Sequence, residues 1–446
     1  MIRLAAGVLV LILAGCGSAP GRNDGGAHDG RFDGGARDGW SDGGPRDGQS
    51  ETGGRDGQSE AGARDGRFDA VPSRDGGPEV GSQGGGAAVA FQIDVAHTGN
   101  QPASTLTPPL TRAWSVDLGD STTVVSYPLI ADGRVFVTTS PSAGAVGTLQ
   151  ALALATGKPL WGPIDTGNVG PYSNAAYDDG KIYVIIGTGL LTAFDAATGA
   201  TVWAKQMPGQ IVFSSPPTAA GGMVYLGGTG TGGTVYGVDG GSGAVVWTAS
   251  VLGGDLSSPA LSADAVFFDY ACVEAYAFSR TDGTLLWRHD GPCNGAGGAT
   301  PVLSQGQLWA RDTQLNNNLI LDATSGAELG SFSATVIPAF ADQRGFFLAA
   351  GVLQALDVTT GTALWSFAGD GALASAPLVV NGVVYIGSTN GQLYALDPTT
   401  GTMLWSDTLP WGISPTFEVG FTPLAGLQAG GNALLVPAGN HLVCYR

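Results

Sequence analysis

The chain has 446 residues, of which 74 are glycine and 13% are charged, with a formal net charge of −18. Ordinary domains run near 7% glycine and about 25% charged residues, and each interior glycine costs a helix ~0.5–1 kcal/mol, so long glycine-laden helices are excluded. An acidic chain without a basic stripe also excludes nucleic acid as a partner.

In chain order, residues 1–15 read as a lipoprotein signal peptide. Met1 and Arg3 open a short cationic region, and the apolar run from Leu4 to Ala14 is too short for a span of about 20 residues. It ends Leu13-Ala14-Gly15-Cys16, which resembles the bacterial lipobox, and that resemblance implies lipidation of Cys16. Several acyl chains on one residue anchor stably where one chain does not. Gly17, in place of the aspartate that retains such proteins at the inner membrane, favours the outer membrane.

Residues 16–88 read as the lipidated cysteine followed by a tether. Residues 17–88 hold 22 glycines, eight Arg and thirteen Asp or Glu, with a nine-residue period of Arg-Asp-Gly at Arg37, Arg46, Arg55 and Arg64 that slips by one to Arg74. The aspartates invite comparison with calcium-binding β-roll repeats. Those need a large aliphatic residue in each repeat, and here Ser, Gly or Phe takes its place beside a competing arginine. The segment cannot bury enough apolar surface to fold, and as a disordered linker it spans on the order of 45 Å.

After a lead-in over 89–110, residues 111–446 repeat with a period near 42. Trp114, Trp161, Trp203, Trp247, Trp287, Trp365 and Trp405 share one phase, and all but Trp114 stand four residues after a glycine. A further copy, Ser325-Gly326-Ala-Glu-Leu-Gly330, keeps the turn and loses the tryptophan. Asp195, Asp239, Asp322, Asp357 and Asp397 precede their turn glycines by four residues, the spacing of an Asx-type turn cap. Residues 375–405 decode into four strands, with Asn381-Gly382 and Asn390-Gly391 as hairpin turns. Four short strands per 40–45 residues predict a propeller blade.

Counting gives eight inner strand sets but only seven fourth strands behind them. The eighth is Arg112-Ala-Trp114-Ser-Val-Asp, so this N-terminal strand is expected to complete the last blade and leave no open ring edge. The fold class is therefore all-β, an eight-bladed propeller of four-stranded antiparallel blades. Seven blades is the alternative, should the short 330–364 copy not be a full blade.

The unit S-S-P…V-Y-x-G…G-x-L-Y-A-L-D-x-x-T-G-x-x-x-W resembles the pyrroloquinoline-quinone-type propeller repeat over roughly 110–446, and Phe91-Gln-Ile-Asp-Val-Ala-His97-Thr-Gly99 looks like the lead-in of such proteins. The resemblance implies that the repeated tryptophans dock between neighbouring blades. It offers two functions, a quinone-dependent dehydrogenase or the docking platform of the propeller lipoprotein in the outer-membrane β-barrel assembly machinery. The dehydrogenases carry an adjacent cysteine pair and a calcium site with a catalytic aspartate on long insertions. Here the cysteines are Cys16, Cys272, Cys293 and Cys444, none adjacent, and no matching insertion is present.

The histidines at 28, 97, 289 and 441 form no metal-ligand spacing. Gly227-Gly-Thr-Gly-Thr-Gly-Gly233 lacks the Lys-Ser/Thr of a phosphate loop and reads as a hairpin of blade 3. Cys272, between the second and third strands of blade 4, and Cys293, in the connection to blade 5, fall on one face of a propeller and are disulfide candidates in an oxidising compartment. Cys444 reads as a buried thiol. The expectation is a non-enzymatic, monomeric propeller without cofactor, metal or nucleic acid, anchored to a bilayer through Cys16 in the bacterial envelope. Its expected partners are envelope proteins, barrel-assembly components among them. A surface-exposed propeller binding protein or glycan is the first alternative and a quinone dehydrogenase the second.

Overall fold

Asn381 and Gly382 both adopt positive φ, 48° and 71°, the two-residue turn whose twist matches that of the flanking strands. They join Leu378–Val380 to Val383–Gly387, and the antiparallel ladder continues through Gln392–Leu396 to Met403–Thr408. The innermost strand is wholly buried, whereas the outermost alternates between exposed and half-buried. One blade therefore carries a gradient from apolar axis to solvated rim.

The computed structural model describes residues 85–141, 146–168, 173–293, 297–313, 317–418 and 423–446. Cys16, the signal peptide and residues 17–84 of the tether lie outside the described residues. Eight such sheets occur. Their innermost strands are Leu129–Ala131 (blade 1, with Thr123–Val125 alongside), Ser173–Asp178 (2), Thr218–Ala220 (3), Ala260–Leu261 (4), Val302–Ser304 (5), Ala339–Ala341 (6), Leu378–Val380 (7) and Gln428–Gly430 (8). Blade 6, the short copy, is a full four-stranded sheet, so the seven-bladed alternative is overturned. In blade 8, Arg112–Asp117 pairs antiparallel with His441–Tyr445, Trp114 opposite Cys444, and closes the ring as expected.

The turn preceding the fourth strand has one chemistry in blades 2, 3, 5, 6 and 7, while Ala153 and Ser279 stand in the aspartate's place in blades 1 and 4. The Asp195 carboxylate accepts from the Thr198 hydroxyl and main-chain N–H at 2.7 and 2.8 Å, and these bonds hold its pKa below the ordinary carboxylate range. Asp239, Asp322, Asp357 and Asp397 bond their turns in the same way. The turn glycine then admits the neighbouring blade. A Cβ on Gly199 would meet the Trp161 ring at 2.8 Å, and one on Gly401 would meet Trp365 at 2.6 Å. Six tryptophans, at 114, 161, 203, 247, 287 and 365, donate their ring N–H to a main-chain carbonyl of the next blade at 2.9–3.1 Å. Trp405 has no such turn ahead of it, because blade 8 takes its fourth strand from the N-terminus, and it packs edge-on against Tyr445 instead. Where Gly330 replaces the tryptophan, the slot beside Gly361 is open.

Cys272 and Cys293 are joined in a disulfide between the 2–3 connection of blade 4 and the chain leading to blade 5. Cys444 is a buried free thiol whose pKa burial pushes up to about 11. Residues 227–233 form the ends and turn of one hairpin in blade 3.

Candidate functional site

A propeller's axis is its natural site, because the innermost strands of every blade converge there. Here both of its ends are built over. The lower end, on the side of the first turns, is crossed by residues 85–101. Six carbonyls of this plug accept the main-chain N–H that lies two residues before the first turn of a blade. Ala88 accepts from Ile130, Val89 from Tyr177, Val95 from Leu261, Ala96 from Leu303, Thr98 from Phe340 and Gly99 from Val379, at 2.7–3.0 Å. Blade 8 joins through Gly431 N–H to the Gly86 carbonyl, and Asn100–Gln101 runs parallel to Leu378–Val380. Gly85–Ala88, which composition assigns to the tether, thus belong to the plug. Phe91, Ile93 and His97 of the plug are buried.

The upper end is crossed by the connection from blade 7 to blade 8, described at 409–418 and 423–427. Its Thr416 bonds Ala374 and Ala376 of blade 7, and its Leu424 bonds Tyr127 of blade 1 and Asn174 of blade 2. Between them Glu418 reaches inward. It accepts from Thr300 N–H at 2.9 Å and pairs with the Arg311 guanidinium, both side chains almost wholly buried. The Arg311 main-chain N–H in turn donates to Asp269 at 2.7 Å. Asp269 is fully buried, and desolvation raises its carboxyl pKa well above the ordinary range despite that bond and the nearby guanidinium. Its second oxygen and the Arg311 Nε have no partner among the described residues.

Sequence reading located the lead-in and the disulfide candidates but missed Asp269, Arg311 and Glu418. A signal was present for two of them. Counted from the start of each second strand, the fifth position is Thr138, Ile185, Gly227, Asp269, Arg311, Leu348, Gly387 and Pro437 around the ring, Arg311 falling one residue past the end of its strand Gln307–Ala310, so a carboxylate and a guanidinium stand at one repeat position in adjacent blades. The tryptophans and aspartates picked out by periodicity lie at blade junctions and turns, away from this cluster. Open clefts lie at the ring-closing seam. One of about 370 Å³ is lined by Asp117, Thr139 and Gln150, and one of about 320 Å³ by Thr123, Pro415, Phe417 and Pro423.

The family model described as outer membrane protein assembly factor BamB matches residues 145–316, 273–411 and 316–440. The chain belongs to this PQQ-like propeller family. Among solved structures it is similar to BamB from Moraxella catarrhalis, at 20% identity and TM-score 0.55, covering 76% of this chain and 99% of that one. It is also similar to the quinohemoprotein alcohol dehydrogenase from Comamonas testosteroni, at 15% identity and TM-score 0.64, covering 82% and 81%. Both likenesses establish the propeller fold. A dehydrogenase subunit of a quinone alcohol dehydrogenase from Gluconacetobacter polyoxogenes is 29% identical over 184 residues, 36% of this chain and 24% of the relative. The counterpart from Gluconobacter oxydans (strain 621H) is 37% identical over 103 residues, 21% and 13%. The chain thus spans a quarter or less of the length of the curated relatives it matches.

The residues on the axis do not fit the quinone that these relatives' names imply. The guanidinium there is committed to Glu418 of the strap, and the two paired cysteines are 21 residues apart and tie blade 4 to its exit chain.

Proposed function

We propose that this protein is a lipid-anchored component of the bacterial envelope whose propeller is a non-catalytic scaffold for protein partners in outer-membrane protein assembly. The observation that carries the reading is the occupied axis: plug and strap leave the upper rim and the seam clefts as the accessible surface, and exposed loops are where propellers hold specificity. Membership in the BamB-type family supports a protein-interaction role. Phe417, 58% exposed beside the seam cleft, and Ile211, 67% exposed on a blade-2-to-3 loop, are apolar groups presented on this surface. The lipobox supports anchoring at Cys16, and the tether supports a propeller held clear of the bilayer.

Affinity purification of the full chain from solubilised envelopes tests the scaffold reading. Recovery of barrel-assembly components, reduced in a Phe417→Asp variant, is the expected result, and recovery of none overturns the assembly role. Cys16→Ser is expected to abolish incorporation of labelled fatty acid and release the protein into the soluble fraction. Quinone-dependent oxidation is the second reading, favoured by the dehydrogenase relatives. Oxidation of an alcohol or sugar with a dye acceptor, after reconstitution with pyrroloquinoline quinone and calcium, would establish it.

A further inference from the structure

His97 sits in the plug with no exposure to solvent. Its Nδ1 lies 2.7 Å from the Phe91 carbonyl and its Nε2 lies 3.0 Å from the Pro259 carbonyl of blade 4. A carbonyl oxygen can only accept, whereas a neutral imidazole offers one donor and one acceptor. Either neutral tautomer would therefore aim a nitrogen lone pair at an oxygen lone pair in a site closed to water. An imidazolium has two N–H donors and satisfies both contacts.

We propose that His97 is held as an imidazolium in the folded propeller, a charged pin that fastens the plug to blade 4 and loosens as pH rises.

The charged surroundings fit that state. From the plug itself comes Asp94, whose carboxylate accepts from the main-chain N–H groups of Ala96 and Thr98 at 3.0 Å and from the Thr98 hydroxyl. Burial pushes the Asp94 carboxyl up, and the three donors aimed at it act against burial in favour of the ionised form. From the strap comes Glu418, which is paired in turn with Arg311 of blade 5, and Asp269 and Asp312 stand around that guanidinium. Blade 4 contributes the Pro259 carbonyl. Burial is the largest single influence on the ring and pulls its pKa down, while both carbonyls, Asp94 and Glu418 push it up. The geometry of the two carbonyls decides between them, because the neutral ring gains nothing from one of its two contacts. His97 is thereby the point at which plug, blade 4 and the strap's buried charge act on one proton.

The sign of the pH dependence follows. A ring whose folded pKa lies above its ordinary value of about 6.5 stabilises the fold fully below that value, and the stabilisation is lost as pH rises through the folded pKa.

The test uses the full chain with ring-¹⁵N histidine, in which four histidines report and the His97 signal is identified by its loss in His97→Gln. The expected result at pH 7.5 is two protonated ring nitrogens, with a titration midpoint above the ordinary value. A single protonated nitrogen at that pH overturns the proposal. Should His97→Gln fail to fold, Glu418→Gln supplies the assignment, because removing that carboxylate is expected to move the His97 midpoint down. An unchanged midpoint overturns the coupling to the strap. A melting temperature that falls more steeply between pH 7 and 9.5 in the wild type than in His97→Gln supports the pin, and parallel profiles overturn it.

Discussion

The two ends of the axis are closed by opposite means. At the lower mouth the plug spreads its hold over seven blades through main-chain carbonyls, so no single blade side chain decides it. At the upper mouth the strap bonds blades 7, 1 and 2 through Thr416 and Leu424, and its charged hold on the interior is one buried ion pair, Arg311 with Glu418, at one blade. The distributed closure tolerates sequence change and fails only when the segment itself is lost. The concentrated closure depends on two residues, and removing either leaves a buried charge without its partner. One fold thus pairs a closure that is robust to substitution with one that a single substitution can break.

The comparison breaks most visibly if the plug is removed. Seven main-chain hydrogen bonds at ~1 kcal/mol net each, with burial of Phe91 and Ile93 at ~1.5–3 kcal/mol each, are comparable to the 5–15 kcal/mol that stabilises a typical domain. A chain beginning after Gln101 is expected to lose its cooperative unfolding transition, as read by circular dichroism. At the other mouth, Arg311→Ala is expected to cost about 3–5 kcal/mol in a urea titration, because Glu418 stays buried and unpaired. The double change Arg311→Met with Glu418→Leu is expected to recover most of that loss, which a merely steric role for Arg311 would not allow. Cys272→Ser with Cys293→Ser opens a 21-residue separation beside the same cluster and is expected to lower stability by about 3 kcal/mol on the chain-entropy estimate. The midpoint difference should vanish when both proteins are compared fully reduced.

The smallest expected effect concerns Asp269. Burial raises its folded pKa, so the unfolded chain releases that proton first as pH rises. Folded stability from this group therefore falls from about pH 4 upward, through the window between the unfolded and folded values. Asp269→Asn is expected to unfold at a higher midpoint than wild type at pH 8 and at an equal one near pH 3. A lower midpoint at pH 8 would mean that the carboxylate is ionised and held by Arg311.

The propeller was legible because its signals repeat. A turn glycine that must admit the Trp ring of the preceding blade recurs in phase, and one decoded copy decodes the others. Ring closure by Arg112–Asp117 was legible from arithmetic alone, as one fourth strand was missing at one end and spare at the other. The plug's grip was not legible, because it is made by carbonyls that every residue carries; only a family resemblance marked residues 91–99 as a segment at all. Arg311 and Glu418 stand 107 residues apart in sequence, and one of them lies on a connection outside the repeat, so no spacing joins them. Asp269 and Arg311 could be singled out as charges at a repeat position otherwise free of them, yet their exchange of contacts depends on neighbouring blades meeting edge to edge.

The ring-closing strand also fixes when folding can finish. Trp114 pairs opposite Cys444, so at ~5–20 residues synthesised per second the closing strand waits roughly 15–65 s for its partner to be made. Throughout that interval the first seven blades can assemble around the plug with an open edge, exposing the surface most prone to pairing with another chain. The last strand of the propeller, His441–Tyr445, is therefore the clasp, and a ribosome stalled shortly before it would leave an almost complete propeller unable to shut.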